Sequence, residues 1–368
     1  MDYTVRDDEV ARFADFDNRY AGAGERFGIR RSTLASIPTI DFEPFMRDAG
    51  SAVKQAVADE LRKACIDIGF FYLVGHGIAQ AEFDEVHRWG HRFFEQPLAG
   101  KRRLARSRSL SGQGYIGVGG TNPDANVNEA PDLKETFSMG REVMPGEPEA
   151  GRFGAGLTQW PALSGFRECL QPHIQKRVGI AQRLVRAFAL SLGLPERHFD
   201  EMHRHLGCFL LYNYYPPLNL AQLKRAQWSI SPHTDYGSFT LLDQDRVGGL
   251  QVRNASGQWI DVPPLEGSFV VNIADLFARW TNDLYTSNLH RAANFSDVPR
   301  ISVPFFVFPN GRARVECLEP CRGVGNPPRY EAVIVEDYLR ALLDQSDRTG
   351  RPGVSKKTAA RMAGQGGA

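Results

Sequence analysis

Between residues 51 and 68 the apolar positions fall at 53, 57, 61, 64, 65 and 68, a spacing that predicts an amphipathic helix. Gly69 stops it. The unbroken run Phe70-Phe71-Tyr72-Leu73-Val74 then reads as a buried strand, closed by Gly75-His76-Gly77. Upstream, IPTIDF (37–42) reads as a first short strand after a polar, aperiodic stretch, 1–36. A second helix is expected over about 79–95, ended by Pro97, and a longer one over about 164–192, ended by Gly193. LPERHFDEMHRHL predicts a short helix, and 331–345 a last one. Residues 107–131 are rich in Gly, Ser, Asn and Pro and read as a long loop with short strands, a kind of segment that is often functional. From 207 to about 316 the texture changes. Short β-branched and aromatic runs alternate with Gly, Pro and Asn at roughly 8–12-residue spacing, the mark of a sandwich or barrel.

These elements predict an N-terminal, mostly helical supporting region (1–200) and an all-β core (201–325). A C-terminal region (326–368) follows, with one helix and a tail whose composition argues disorder. A length of 368 residues is ample for a sizeable core, and 42% hydrophobic with 24% charged residues are ordinary globular values. Lys and Arg number 44 against 43 Asp and Glu, which gives no reason to expect a nucleic-acid or anionic-membrane partner. No window approaches the roughly 18 apolar residues of a membrane span, and DYTVRDDEVARF carries no apolar signal core. The five scattered cysteines, Cys65, Cys169, Cys208, Cys317 and Cys321, read as reduced thiols. A soluble, cytoplasmic protein is expected, with monomer as the default state.

Among nine histidines, two stand in H-x-[DE] patterns: His198-Phe199-Asp200 and His233-Thr234-Asp235. Residues i and i+2 share a face in a strand and diverge in a helix. His198 follows Leu-Pro-Glu at a helix start, so it and Asp200 should splay apart on the surface; His203 and His205 are expected there too. His233 and Asp235 follow Pro232, which favours extended backbone, and precede the strand-like GSFTLL (237–242). Both can face one ion. The only later histidine is His290, in TSNLHRAANF. Two histidines and a carboxylate suit the facial arrangement preferred by non-haem Fe(II) oxygenases, although zinc accepts the same ligand types. Ten residues on, Arg300-Ile301-Ser302 in VPRISVPFFVF places Arg300 and Ser302 on one strand face, a socket for a carboxylate.

Taken together, NYYPP (213–217), HTD (233–235), GGLQV (248–252), WIDVPP (259–264), TSNLHR (286–291) and RIS (300–302) resemble the 2-oxoglutarate/Fe(II)-dependent oxygenase superfamily. The branch is the one that includes isopenicillin N synthase and plant flavonoid and gibberellin oxygenases. IPTIDF and GFFYLVGHGI (69–78) match it too, so the likeness runs from about residue 37 to 341. The resemblance implies an α+β, mainly β fold: a double-stranded β-helix (jelly-roll) core with flanking helices. It implies iron on His233, Asp235 and His290, and the far carboxylate of 2-oxoglutarate on Arg300 and Ser302. Asn213 and Tyr215 would help hold that co-substrate, and O2 would be the second one. His76 would be structural. Lys134-Glu135-Thr136-Phe137 echoes the family near the substrate entrance without a catalytic role. Asn272-Ile273-Ala274-Asp275 and Thr281-Asn282-Asp283 depart from the family pattern in turns beside the site.

The expected function is oxidation of a small organic molecule by hydroxylation, desaturation or ring formation, with specialised metabolism as the setting. Phe209, Leu211, Phe305 and Phe306 are expected to cage the substrate. A loop-rich entrance favours a small molecule over a protein or nucleic acid. One alternative is a 2-oxoglutarate-independent oxidase of the isopenicillin N synthase kind, in which Arg300 and Ser302 bind the substrate's own carboxylate. Another is a non-catalytic jelly-roll that binds a small acid. A zinc hydrolase is disfavoured for want of a general base beside the metal.

Overall fold

In the computed structural model the described residues are 29–30, 37–109, 111–121, 131–147, 149–150, 156–218, 228–254, 258–294 and 296–349. Most of 1–36, the tail beyond 349 and part of the 107–131 loop lie outside them, and so do the expectations made there. The strands of the core are, in chain order, β1 (Ile29–Arg30), β2 (Thr39–Asp41), β3 (Phe70–Val74), β4 (Gly114–Ile116), β5 (Glu135–Met139), β6 (Gly207–Tyr215) and β7 (Ile230–His233). They continue as β8 (Phe239–Gln244), β9 (Leu250–Arg253), β10 (Trp259–Asp261), β11 (Phe269–Ile273), β12 (His290–Ala292) and β13 (Arg300–Phe308).

They form two sheets, an eight-stranded one in the order β2-β3-β11-β8-β13-β6-β5-β4 and a five-stranded one in the order β1-β10-β9-β12-β7. This is the jelly-roll architecture, with helices flanking a mainly antiparallel core. The large sheet takes β2 to β5 from before residue 140, so strands from both sides of residue 200 complete it.

Strand alternation sorts the side chains into two layers. In β13, Ile301, Val303, Phe305 and Val307 face the helices, where they meet Leu61, Phe83, Val86, Phe166, Leu184 and Phe188. Phe70, Tyr72, Val270, Leu242, Leu250 and Val252 fill a second, inter-sheet core. Phe70–Val74 thus lies between two apolar layers, which is why its sequence is apolar at every position. Each large side chain so buried contributes about 1.5–3 kcal/mol.

The main helices are Ser51–Asp67, Gln80–Phe94, Phe166–Ser191 and Val335–Thr349. The last begins four residues later than the periodicity predicts. In Ser51–Asp67 the buried stripe takes Lys54, Val57, Ala58, Leu61, Ala64 and Cys65, whereas Val53 is exposed. Lys54 is tolerated there because it ion-pairs with Asp48 and Glu196. Gly69 ends this helix at φ 71°, and a Cβ there would sit 1.9 Å from the Thr286 carbonyl oxygen, a clash only glycine avoids. Among the described residues no helix is long and apolar enough to cross a membrane.

Histidines divide differently from expectation in one place. His198 is exposed, and Asp200 turns away to a two-pronged contact with Arg186 (both 3.0 Å). His203 is fully buried, a correction to its expected surface place. Its short helix packs under the sheet, with Nε2 3.3 Å from Ser238 Oγ and Nδ1 3.1 Å from the Phe199 carbonyl. His76 is structural as expected: Nε2 donates to Gly267 O at 3.0 Å and Nδ1 accepts from Ile78 N at 3.2 Å.

Burial lowers the pKa of both His76 and His203 from 6.5 to about 4. The unfolded chain therefore binds more protons between those values. Their contribution is complete above pH 6.5 and is lost as pH falls toward 4, at up to about 1.4 kcal/mol per unit for each group. Urea midpoints measured across this window should fall with pH, and His203→Gln should flatten the slope.

Candidate active site

The centre is assembled by backbone pairing. β7 and β12 run antiparallel with His233 opposite His290, and Asp235 follows two residues beyond His233. One ligand atom from each of His233, Asp235 and His290 lies within 4.8 Å of the other two. Asp235 Oδ1 is 3.8 Å from His233 Nε2 and 3.7 Å from His290 Nε2.

Each side chain is oriented by a second contact. His233 Nδ1 lies 2.8 Å from Ser231 O, and His290 Nδ1 lies 3.2 Å from Asn288 O. Donation to those carbonyls puts the lone pair of each ring on Nε2, the nitrogen that faces the centre. Asp235 Oδ2 accepts from Thr240 Oγ1 (2.5 Å) and Asn272 Nδ2 (2.7 Å), which leaves Oδ1 for the centre. Thr240 and Asn272 are themselves a register pair of β8 and β11.

The electrostatics agree with this division of roles. Burial pushes His233 down to about 3, helped by neighbouring His290, so its ring is neutral. Burial alone would raise Asp235, but His290, His233 and the bonds from Asn272 and Thr240 outweigh it and keep the carboxylate ionised. Two imidazoles and one carboxylate, aimed inward and among the described residues without another partner for those atoms, are a donor set for a divalent metal.

A cavity of about 570 Å³ runs from this triad to Arg300, Ser302, Asn213 and Tyr215. Arg300 opposes Tyr215 in the β13–β6 register and Ser302 opposes Asn213, so one strand pair supplies all four. Tyr215 OH and Ser302 Oγ are 2.9 Å apart. The Arg300 guanidinium lies over the Tyr215 ring at 4.6 Å and donates from Nη2 to Gln244 at 3.1 Å. Among the described residues its Nε and Nη1 have no hydrogen-bond partner, although Arg300 is only 1% exposed; Asn213 Oδ1 is also unpartnered there. Unmet buried donors on a guanidinium are costly and mark a place for an anion, a carboxylate first.

A second chamber of about 970 Å³ opens on the other side of His233 and Asp235. Phe209, Leu211 and Phe306 form part of its wall, as expected for a substrate cage. Phe305 does not belong with them. Alternation along β13 turns it to the helix side, where it is completely buried in the main core.

Several residues of the site escaped the motif reading. Gln244, Thr240 and Asn272 act through cross-strand register, which periodicity does not encode. Lys134 was seen only as part of a motif, yet it lines both chambers. Arg291, beside His290, is clasped between the rings of Trp228 and Trp259, each 4.0 Å away, and bonds Gln251 at 2.8 Å. That clasp fixes β12 just where it delivers His290.

Comparison with known proteins follows the same lines. Residues 37–163 match the profile of the non-haem dioxygenase in morphine synthesis N-terminal region, and 206–309 match the 2OG-Fe(II) oxygenase superfamily. The chain is 34% identical to the 2-oxoglutarate-Fe(II) type oxidoreductase ppzC of Metarhizium majus, over 88% of this chain and 92% of the relative. It is 35% identical to the 2-oxoglutarate-Fe(II) type oxidoreductase hxnY of Emericella nidulans, over 89% and 94%. Among solved structures, a full-length Neurospora crassa protein in complex with alpha-KG superposes with a TM-score of 0.75 at 30% identity, over 84% of this chain and 96% of that one. A further structure of the same Neurospora crassa protein also holds thymine.

The opposite placing of neighbouring phenylalanines yields a prediction. Phe305→Ala should cost about 3–5 kcal/mol of unfolding free energy, as for a large core truncation. Phe306→Ala should cost far less and enlarge the outer chamber instead. Denaturant unfolding of the two variants checks this directly.

Proposed function

This chain belongs to the 2-oxoglutarate/Fe(II) oxygenase superfamily and is a dioxygenase of that class, and on that premise we propose how its own residues divide the work. His233 Nε2, His290 Nε2 and Asp235 Oδ1 would hold the iron, and Arg300 with Ser302 would hold the far carboxylate of 2-oxoglutarate. When bound, iron with 2-oxoglutarate and O2 supplies an oxidant for unreactive C–H bonds, the 2-oxoglutarate leaving as succinate and CO2.

The observation that carries this reading is the pair of unmet Arg300 donors at one end of a cavity whose other end is the triad. A free guanidinium N–H of Arg300 would bind the far carboxylate, with the Tyr215 ring supporting the guanidinium from below. Ser302 Oγ, already bonded to Tyr215 OH, would add a further contact. Asn213, one pair further along, would present its amide to the body of the co-substrate.

The primary substrate in this reading is a small organic molecule, admitted through the outer chamber and oriented by the wall of Phe209, Leu211 and Phe306. The two chambers meet along Lys134, Leu211, His233, Asp235 and Phe306, whereas Arg300, Ser302, Asn213 and Tyr215 line only the inner one, so substrate and co-substrate would be anchored in different chambers. This separation favours use of 2-oxoglutarate over an isopenicillin N synthase-like oxidase, in which one molecule would need both. A cytoplasmic, monomeric enzyme of specialised metabolism is the setting we propose, and the five free thiols suit a reducing compartment.

Anaerobic titration of metal-free protein with Fe(II) and then 2-oxoglutarate should produce the weak visible charge-transfer band of a chelated keto acid. Hydrogen bonds to a charged group contribute roughly 1.5–3 kcal/mol each. Arg300→Ala should therefore weaken 2-oxoglutarate at least tenfold while still binding iron, and Arg300→Lys should fall between. His233→Ala should lose the iron itself. Iron binding without the band in the wild-type protein would instead favour the co-substrate-free oxidase.

A further inference from the structure

We propose that the primary substrate is a small organic acid with an apolar body, and that Lys134 recognises its carboxylate. This rests on the reading above, because it takes the His233–Asp235–His290 triad as the reacting centre.

Lys134 immediately precedes β5 and is a buried lysine that lines both chambers where they meet at His233 and Asp235. Its nearest counter-charge, Asp132 Oδ2, stands 3.6 Å away, a long ion-pair distance, and Asp235 also acts on it. Asp132 is otherwise engaged. Oδ1 accepts the backbone N–H of Ser231 at 3.0 Å, and Oδ2 accepts Thr121 Oγ1 at 3.3 Å. Among the described residues the Lys134 ammonium therefore has only this long contact, to an acid that already serves two other donors, although it carries three donors itself. A buried ammonium is tolerated only when it is paired and hydrogen-bonded, so the missing acceptors are expected from what enters the chambers.

The charges around it point to the same ligand. Among the described residues the outer chamber is lined by two basic side chains, Arg106 and Lys134, and by one acid, Asp235, which is turned to the triad. That lining favours an anionic substrate over a cationic one. The same chamber is also lined by Phe209, Leu211, Phe306 and Phe308, which asks for an apolar or aromatic body. The inner chamber has its own cation in Arg300, so the co-substrate does not need Lys134 for its far carboxylate.

Calorimetric titration tests this with benzoate, phenylacetate, 3-phenylpropionate and cinnamate, each against its primary amide. The protein is full-length, loaded with Co(II), with and without 2-oxoglutarate. At least one acid should bind tenfold or more tighter than its amide. Lys134→Met should abolish that preference and Lys134→Arg should retain it, while the Fe(II)–2-oxoglutarate charge-transfer band survives in both. If no acid in the series outbinds its amide by that margin, or if the preference persists in Lys134→Met, the proposal is overturned. Loss of the band in Lys134→Met alone overturns it too, by assigning the lysine to the co-substrate. Absence of the band in the wild-type protein counts against the parent reading, and the acid-to-amide ratio, read by heat, still decides this one.

Discussion

The pairing of His233 with His290 across β7 and β12 is the constraint on which the site depends. It brings together two residues far apart in sequence with a tolerance set by the backbone ladder. Once that register is fixed, Asp235 needs only the two-residue step beyond β7 to face the same point. A slip of one residue in either strand would turn a histidine to the opposite face and dismantle the triad. The fold guards this register. Arg291 is clasped by two tryptophans directly after His290, and the Asp275 N–H bonds the Asp235 carbonyl at 2.9 Å.

The same logic of register builds the rest. Thr136, Asn213, Ser302 and Gln244 are successive partners across β5, β6, β13 and β8, which makes a polar row across the cavity face of the large sheet. Opposite faces of the same strands carry the helix-side core. The site is therefore held by strands whose other side is packed under helices, a rigid support for groups that must keep fixed positions. Among the described residues its unsatisfied polar atoms are two guanidinium donors of Arg300 and Asn213 Oδ1, beside the long ion pair of Lys134. Arg177, in the helix-side core, has by contrast a counter-charge in Asp243 and a bond to the Val303 carbonyl, although its own Nε is unpartnered.

Much of this was legible along the chain, because period-two alternation and short motifs are local. The strand at 70–74, the helix ended by Gly69, the H-x-D that can face one ion and the Arg300/Ser302 face all follow from neighbours in sequence. What stayed hidden depends on contacts between distant elements. His203 looked like a surface helix residue because its cover, Ser238 and Trp280, comes from other elements. Phe305 and Phe306 look equivalent until alternation is anchored at Arg300. Thr240 carries no motif, and Asn272 stands only in a stretch that departs from the family pattern; the β8–β11 register reveals that both grip Asp235. Lys134 lay inside a noted motif, but its position between two chambers emerges only from the three-dimensional arrangement.

The central claim is that one triad holds the metal and one guanidinium, at the far end of the same cavity, holds the co-substrate. Anomalous diffraction from crystals grown anaerobically with Mn(II) and 2-oxoglutarate tests both halves at once. The account predicts a single metal peak in coordination contact with His233 Nε2, Asp235 Oδ1 and His290 Nε2. It also predicts keto-acid density ending in a carboxylate on the Arg300 guanidinium. A metal bound through other residues, or a keto acid whose far carboxylate lies away from Arg300, would contradict it.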